Sequence, residues 1–229
     1  MTPIDCPSPN HDERSAEISM IVLHYTGMET AEAAVERLCD PAARVSAHYL
    51  IHEDGQVLRL VPEERRAWHA GASHWRGITD INSASIGIEV VNPGHDWGYR
   101  DYPEAQVAAI IRLVAEVKDR HQVTRGNVVG HSDIAPTRKR DPGELFPWGR
   151  LARLRLALPR PTRNLMDPGW TQAGFLLALE RFGYDVTDPL AAIVAFQRRF
   201  RPEMIDGELD AECRMILLAL LLPKPQGDD

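Results

Sequence analysis

The sequence contains few cysteines, and they follow no regular spacing. Cys6, Cys39 and Cys213 are far apart and odd in number, and none belongs to a C-x-x-C pair. A small disulfide framework normally uses an even number of closely spaced cysteines. The sequence therefore predicts buried or incidental thiols, since a free cysteine packs like a small hydrophobic residue.

Long apolar runs and an excess of positive charge are also missing. No run of about 18 apolar residues is present, so no transmembrane helix is predicted. The formal net charge is -7, whereas a general nucleic-acid-binding protein is usually basic. Residues 1–14 lack the basic and then apolar pattern of a secretory signal. These absences argue against a nucleic-acid partner and predict a cytoplasmic location, or a periplasmic one if an export signal has been trimmed.

Two regions of the sequence differ in their pattern. Up to about residue 159, β-branched runs alternate with helical spacing, which predicts an α/β fold with a mixed central β-sheet flanked by helices. Residues 158–163 are basic and proline-rich, as in a linker, and three short helical patterns follow. We therefore predict a larger domain over residues 1–159 and a linker with a small three-helix domain over residues 160–229.

Periodicity and end signals predict the individual elements. Residues 3–17 are expected to form an extended arm, and residues 62–85 an irregular stretch. The predicted strands cover residues 20–25, 45–52, 56–61, 86–91 and 127–130. The predicted helices cover residues 31–39, 103–120, 147–158, 170–182, 189–200 and 208–222.

Three residues carry the side chains of a zinc site. His24 and His131 each follow an apolar β-type run, and Asp141 lies on the loop after His131. Two imidazoles and one carboxylate would leave a fourth position for water, as in catalytic zinc sites. The alternative is structural, because a strand-end histidine is often only hydrogen-bonded and Asp141 precedes the turn formers Pro142 and Gly143.

Two charged residues are candidates for catalysis beside such a metal. Glu89 interrupts an apolar strand, so it either faces a cleft as a general base or lies at a solvent-exposed edge. Lys139 stands two residues before Asp141 and could stabilise an oxyanion, unless it belongs to a solvated basic run.

Other histidines and a tryptophan are less specific. His48 and His52 would share one face of a strand, and we favour packing and hydrogen bonding over a metal pair. Trp68 and His69 could line a cleft in which the tryptophan stacks on sugar or peptide, or they could belong to the core.

Five motifs together resemble one known family. The chain is similar to the zinc-dependent N-acetylmuramoyl-L-alanine amidases of the type-2 (AmpD/AmiD-like) group, which are related to peptidoglycan recognition proteins. The motifs occur in the family's order and span about residues 15 to 155. They are residues 22–26, 45–51, 66–71, 85–89 and 130–143. Residues 195–200 and 205–209 resemble, less strongly, a three-helix peptidoglycan-binding module.

The resemblance implies a role for each candidate. His24, His131 and Asp141 would bind one Zn²⁺, Glu89 would be the catalytic glutamate, and Lys139 would support the transition state. Positions of the family that contact substrate are matched by Arg44, Trp68 and His69.

The implied reaction is hydrolysis of the amide between N-acetylmuramic acid, in its 1,6-anhydro form, and L-alanine of peptidoglycan or muropeptides. A non-catalytic muropeptide receptor and an unrelated metal-dependent hydrolase are the alternatives. The enzyme is favoured over the receptor because all three ligand positions carry competent residues.

Overall fold

The computed structural model describes residues 2–162 and 165–222. Parts of the predicted linker and of the predicted small domain, residues 163–164 and 223–229, lie outside the described residues. The strands are β1 Ile4–Asp5, β2 His11–Glu13, β3 Met20–Tyr25, β4 Tyr49–Ile51, β5 Val57–Arg59, β6 Arg65–Ala67, β7 Ser85–Val90 and β8 Val128–Gly130. A 3-10 turn, Arg125–Asn127, leads into β8.

The predicted mixed sheet is confirmed. Six strands form it, in the order β1-β5-β4-β7-β3-β8. The neighbours β4, β7, β3 and β8 run parallel, while β5 pairs antiparallel with β4. In a parallel set all the carboxyl ends meet at one edge, and α/β folds place their sites there.

The helices in the described residues cover both faces of this sheet. They are α1 Ala31–Cys39, α2 Ile81–Ala84, α3 Gly94–Trp97, α4 Glu104–Arg120, α5 His131–Ile134, α6 Trp148–Arg153, α7 Gln172–Phe182, α8 Pro189–Phe200 and α9 Ala211–Leu221. None of them is long and apolar enough to cross a lipid bilayer.

Alternation along β3 separates the two faces of the sheet. Ile21 and Leu23 point to the face that α4 covers, where they belong to one apolar cluster with Ile110. Met20 and Val22 point to the opposite face. Because side chains alternate in a strand, His24 lies on this second face.

The predicted helices 31–39 and 189–200 are confirmed to the residue. Thr30 begins α1 by accepting a hydrogen bond from the Ala33 N–H, and Asp188 does the same for Ala191 at the start of α8. The helix predicted over residues 147–158 is shorter than expected. It ends at Arg153, because Arg155 adopts a left-handed backbone conformation with φ 58°.

Two regions contain elements that were not predicted, and the expectation of an irregular stretch over residues 62–85 was wrong. The arm over residues 3–17 contains β1 and β2, and the stretch over residues 62–85 contains β6 and α2. β2 and β6 form a separate antiparallel pair in which Asp12 faces Arg66 and Glu13 faces Arg65. Opposite charges stabilise this pair across the strands, so no hydrophobic alternation marks it in the sequence.

The strand predicted over residues 45–52 is confirmed only as β4. Before β4 the backbone bonds to two different partners: the Ser46 N–H donates to Trp68 O and the His48 N–H donates to Gly87 O. His48 is fully buried, and its Nδ1 accepts from the Gly87 N–H. Burial lowers the pKa of His48 to about 3, so it packs as a neutral hydrogen-bonded residue, as favoured from the sequence.

The three C-terminal helices pack directly on the sheet. Leu179 of α7, Phe196 of α8 and Leu217 of α9 belong to the same apolar cluster as Met20 and Val22 of β3. A boundary between residues 159 and 160 stays a prediction. The packing on both sides of that position forms one continuous core.

All three cysteines are free thiols. Cys213 is buried in α9, as the sequence led us to expect. Cys6 and Cys39 are distant in the sequence, but their Sγ atoms lie 4.0 Å apart.

Candidate metal centre and active site

The parallel strands bring two histidines together. His24 is the fifth residue of β3 and His131 directly follows β8, and these strands are neighbours in the sheet. Asp141 reaches the same place because the loop after α5 folds back, with the Ser132 N–H donating to Asp141 O at 2.8 Å. Tyr99 and Tyr102 fix the next residue, each donating its O–H to Pro142 O.

Three ligand atoms converge on one point. The distance between the Nδ1 atoms of His24 and His131 is 2.9 Å, and Asp141 Oδ2 lies 3.1 and 3.0 Å from them. Neighbouring donors around a tetrahedral zinc ion are about 3.3 Å apart, given zinc–ligand bonds near 2 Å. Within the described residues this is the group of histidine, cysteine and acidic side chains that could hold a metal ion.

The hydrogen bonds around His24 show which of its two ring nitrogens is unprotonated. Ser85 donates its hydroxyl to Ile81 O at 2.5 Å, so its oxygen accepts from Nε2–H of His69 at 3.3 Å. His69 Nδ1 must then accept from Nε2–H of His24, at 3.0 Å. In a neutral imidazole this leaves His24 Nδ1 unprotonated and available to a metal.

His131 is oriented in the same way. Its Nε2–H donates to the carbonyl of Ala70 at 3.1 Å, which leaves Nδ1 of a neutral ring as an acceptor. Residues 69 and 70 thus set the orientation of both histidine ligands. No pattern in the sequence indicated this role for His69, which was predicted to contact substrate.

The electrostatics of the cluster favour metal binding. Burial and, to a smaller extent, the nearby His131 lower the pKa of His24 to about 4, so this imidazole is neutral at neutral pH. Burial alone would raise the pKa of Asp141. The neighbouring His131 and the hydrogen bonds with both histidines outweigh burial and bring that pKa well below its usual range. Two neutral imidazoles and a carboxylate are the forms that ligate zinc.

Glu89 lies beside the cluster on the adjacent strand, with its Cα paired to that of His24. Its Oε2 is buried and has no hydrogen-bond partner among the described residues. Burial raises its pKa well above the usual value, the Asp141 carboxylate raises it further, and the Lys139 ammonium opposes both. A carboxyl group with an unpartnered oxygen and a raised pKa suits proton transfer.

A cavity of about 350 Å³ opens over these groups. The predicted site residues that line it are His24, Trp68, His69, Glu89, His131, Lys139 and Asp141. The Trp68 indole N–H is buried without a partner among the described residues, and it is therefore free to donate to a ligand. Arg44 is exposed and lines an adjoining cavity, which it shares with Trp68 and Lys139.

The sequence did not single out some residues around the cavity. Tyr25 and Arg140 also line it, and Tyr25 shares a hydrogen bond of 2.9 Å with His95. Tyr25 directly follows His24 in the first motif, and this position could have identified it as a cavity residue. His95 lies in α3, in a stretch whose sequence carries no pattern.

An α/β sheet with two histidines and an aspartate at its carboxyl edge offers a site of the kind that metal-dependent hydrolases use. The model of the N-acetylmuramoyl-L-alanine amidase family matches residues 14–144. N-acetylmuramoyl-L-alanine amidase AmiD of Escherichia coli (strain K12) is 38% identical over 89% of this chain and 82% of its own length. This chain belongs to the N-acetylmuramoyl-L-alanine amidase family.

Solved structures agree with this assignment. AmiD from E. coli, in complex with anhydro-N-acetylmuramic acid-L-Ala-D-gamma-Glu-L-Lys, superposes with a TM-score of 0.81 at 35% identity, covering 92% of this chain and 91% of its own. AmpDH3 from Pseudomonas aeruginosa also gives 0.81, at 36% identity, covering 89% and 91%. The 1,6-anhydro-N-acetylmuramyl-L-alanine amidase AmpD of E. coli is 36% identical over 68% of this chain and 92% of its own length.

Proposed function

We propose that this enzyme uses one zinc ion to hydrolyse the amide between 1,6-anhydro-N-acetylmuramic acid and L-alanine. The observation that carries the proposal is the convergence of His24 Nδ1, His131 Nδ1 and Asp141 Oδ2 beside an unpartnered oxygen of Glu89. The named ligands of the AmiD and AmpDH3 structures, which are anhydromuramic peptides, support this class of substrate.

The metal would be held by His24, His131 and Asp141, whose donor atoms and spacing fit zinc. When bound, zinc lowers the pKa of water and polarises a carbonyl group. Orientation of the two imidazoles by His69 and by the carbonyl of Ala70 keeps their Nδ1 atoms directed at one point. Ligands held in this way need little reorganisation on binding.

Glu89 would move the proton. Its Oε2 is buried and has no hydrogen-bond partner among the described residues, and Glu89 lines the cavity. This carboxyl group would accept a proton from the attacking water and return it to the amine of the departing L-alanine. Both transfers require a carboxyl group whose pKa lies above that of a solvated glutamate. Burial supplies the increase in pKa, and Lys139 limits it.

Lys139 would stabilise the negative charge that develops on the carbonyl oxygen during attack. It lines the cavity, and its charge acts on both His24 and Glu89. A fixed ammonium in a partly buried site stabilises such a charge more strongly than water does. The Lys139 N–H donates to Ala135 O at 3.1 Å, which fixes the backbone that carries this side chain.

Substrate would lie across Trp68. The free indole N–H and the ring offer one hydrogen bond and one stacking surface to sugar or peptide. Arg44 in the adjoining cavity would meet a carboxylate of the stem peptide. Substrate would also contact His69, which lines the cavity, although its ring nitrogens are engaged by His24 and Ser85.

Mass spectrometry in ¹⁸O-labelled water tests the reaction. With 1,6-anhydro-muropeptide as substrate, we expect a free stem peptide with an unlabelled amino terminus. We also expect an anhydro-muramic acid with one ¹⁸O in its new carboxylate. Binding without cleavage would instead support the non-catalytic recognition protein. Cleavage at any other bond would contradict the proposed substrate linkage.

A second comparison addresses the biological role. Soluble anhydro-muropeptide and intact sacculi would be supplied to the same zinc-loaded enzyme, and the released peptide would be measured. We expect the soluble fragment to be cleaved faster, which fits recycling in the cytoplasm. Faster release from sacculi would contradict that role and favour remodelling of the wall.

A further inference from the structure

A buried carboxylate lies directly behind the three proposed metal ligands. Asp133 is two residues beyond His131 in α5 and is 1% exposed. Its Oδ2 accepts from the Gly130 N–H at 2.8 Å, and Gly130 is the residue before His131. Asp133 therefore fixes the backbone from which a metal ligand projects, without lining the cavity itself.

The other oxygen of Asp133 is held from the C-terminal helices. The Tyr184 O–H, which follows α7, donates to Asp133 Oδ1 at 2.6 Å, and Tyr184 is 0% exposed. Arg199 of α8 places its Nε 3.8 Å from Asp133 Oδ2, while its guanidinium lies 3.1 Å from the centre of the Trp148 ring. Two residues far along the chain thus contact one carboxylate.

The neighbouring arginine reaches the other end of the loop that carries Asp141. Arg198 Nε lies 3.7 Å from Glu144 Oε2, and Glu144 pairs with His95 Nε2 at 3.1 Å. His95 in turn bonds to Tyr25 on the cavity wall. Adjacent arginines of α8 therefore contact the start and the end of the segment 131–144.

Both arginines of these contacts are incompletely paired. Arg198 Nε and Arg199 Nη1 are buried and have no hydrogen-bond partner among the described residues. Buried charges that are incompletely paired are often replaceable by apolar groups without loss of stability. Arginines at these positions therefore indicate a need for directed contacts.

We propose that Tyr184 and Arg199 are positioning residues that hold His131 in its metal-binding orientation through Asp133. This proposal rests on the proposed zinc site. The C-terminal helices are then part of the structure of the active site, whether or not they bind glycan. A loss of partners one step behind a ligand commonly lowers metal affinity by about 10–100-fold, and we expect a smaller loss one step further away.

The test measures the dissociation constant for zinc in the full chain, by competition with a chelating dye. Tyr184→Phe removes one hydroxyl group and keeps the ring, and we expect zinc to bind about 3–10-fold more weakly. Asp133→Asn cannot accept from both Tyr184 and Gly130, and we expect at least the same loss. The double variant should bind zinc no more weakly than Asp133→Asn alone, because Tyr184 acts through that carboxylate.

Leu217→Ala is the matched control in the same helices. Leu217 is fully buried in α9, and its truncation should lower Tm by about 5–15 °C while leaving the zinc dissociation constant unchanged. Unchanged zinc affinity in Tyr184→Phe would overturn the proposal. A double variant whose loss of zinc affinity equals the product of the two single losses would also overturn it. Failure of the wild-type chain to bind zinc would instead contradict the proposed function.

Discussion

Two clusters of buried polar side chains lie on opposite sides of α5, and they differ in composition. Around His131, two imidazole acceptors and a carboxylate oxygen face one another at 2.9 to 3.1 Å. Around Asp133, each carboxylate oxygen faces a donor, the Tyr184 O–H or the Gly130 N–H. With the tautomers assigned above, the first cluster directs three acceptor atoms at one point, whereas in the second each carboxylate oxygen already accepts a hydrogen bond.

Helix geometry explains how two such different clusters arise two residues apart. Successive residues of a helix turn by about 100°, so His131 and Asp133 project in nearly opposite directions. One faces the cavity and the other faces the C-terminal helices. We therefore expect substitutions on the His131 side to change the chemistry and substitutions on the Asp133 side to change how firmly His131 is held.

Removal of a ligand should have the largest effect. In His131→Ala we expect stoichiometric zinc to be lost and kcat/KM to fall by at least about 10³-fold, more than one charge-stabilising group commonly contributes. Metal content after gel filtration and peptide release measure the two effects. His52→Ala is the control, since it removes a histidine at the turn after β4 and should keep both values. Full zinc content in His131→Ala would contradict the assigned cluster.

Glu89→Gln should separate metal binding from proton transfer. The amide keeps the shape of the side chain but cannot accept the proton, so we expect kcat to fall by about 10²–10⁴-fold. Zinc should remain stoichiometric, because Glu89 is not a ligand. Loss of the metal from this variant would indicate that Glu89 is a zinc ligand and would contradict its role in proton transfer.

Lys139→Met should reduce turnover without affecting the metal. We expect kcat to fall by about 10²–10³-fold, the range for loss of one group that stabilises an oxyanion. Lys118→Met, in α4 on the other face of the sheet, is the control for the loss of one positive charge. Equal rates in the two variants would rule out a catalytic role for Lys139.

A third polar cluster serves as a structural reference. Burial alone would raise the pKa of Glu63, but hydrogen bonds from Arg120, His121 and Tyr49 outweigh it and lower that pKa to about 2. A depressed pKa stabilises the fold above about pH 4.5, and this contribution is lost as the pH falls toward 2.

Substitution of Glu63 should therefore change the stability of the fold without changing the proposed active site. In Glu63→Gln we expect the free energy of unfolding at pH 7 to fall by roughly 1–2 kcal/mol, with solvent screening taken into account. Chemical denaturation between pH 7 and pH 2 should show a shallower acid dependence than in wild type. Zinc affinity and kcat should stay unchanged, and a parallel loss of zinc would refute the separation of the clusters.

The sequence allowed much of the sheet and the convergence of His24, His131 and Asp141 to be predicted. Apolar runs that end in His24 and His131 have local signatures, and parallel neighbours must bring such ends to one edge. The bounds of α1 and α8 could be predicted because capping, here by Thr30 and Asp188, is decided within a few residues.

Features that depend on distant partners could not be predicted. β2 and β6 are short and charged, and they become strands because Asp12 and Glu13 meet arginines more than fifty residues away. The orienting role of His69 depends on Ser85 and Ile81, which nothing in its own motif indicates. The contact of Tyr184 with Asp133 likewise joins two regions that differ in sequence pattern.

Zinc dependence of amide cleavage is the most direct test of the central claim. Peptide release from 1,6-anhydro-muropeptide would be measured by mass spectrometry in three samples: purified protein, protein stripped with a chelator, and stripped protein given one equivalent of zinc. We expect activity to be lost on stripping and to return with zinc. Release of peptide at the full rate by the zinc-free protein would contradict a zinc-dependent cleavage.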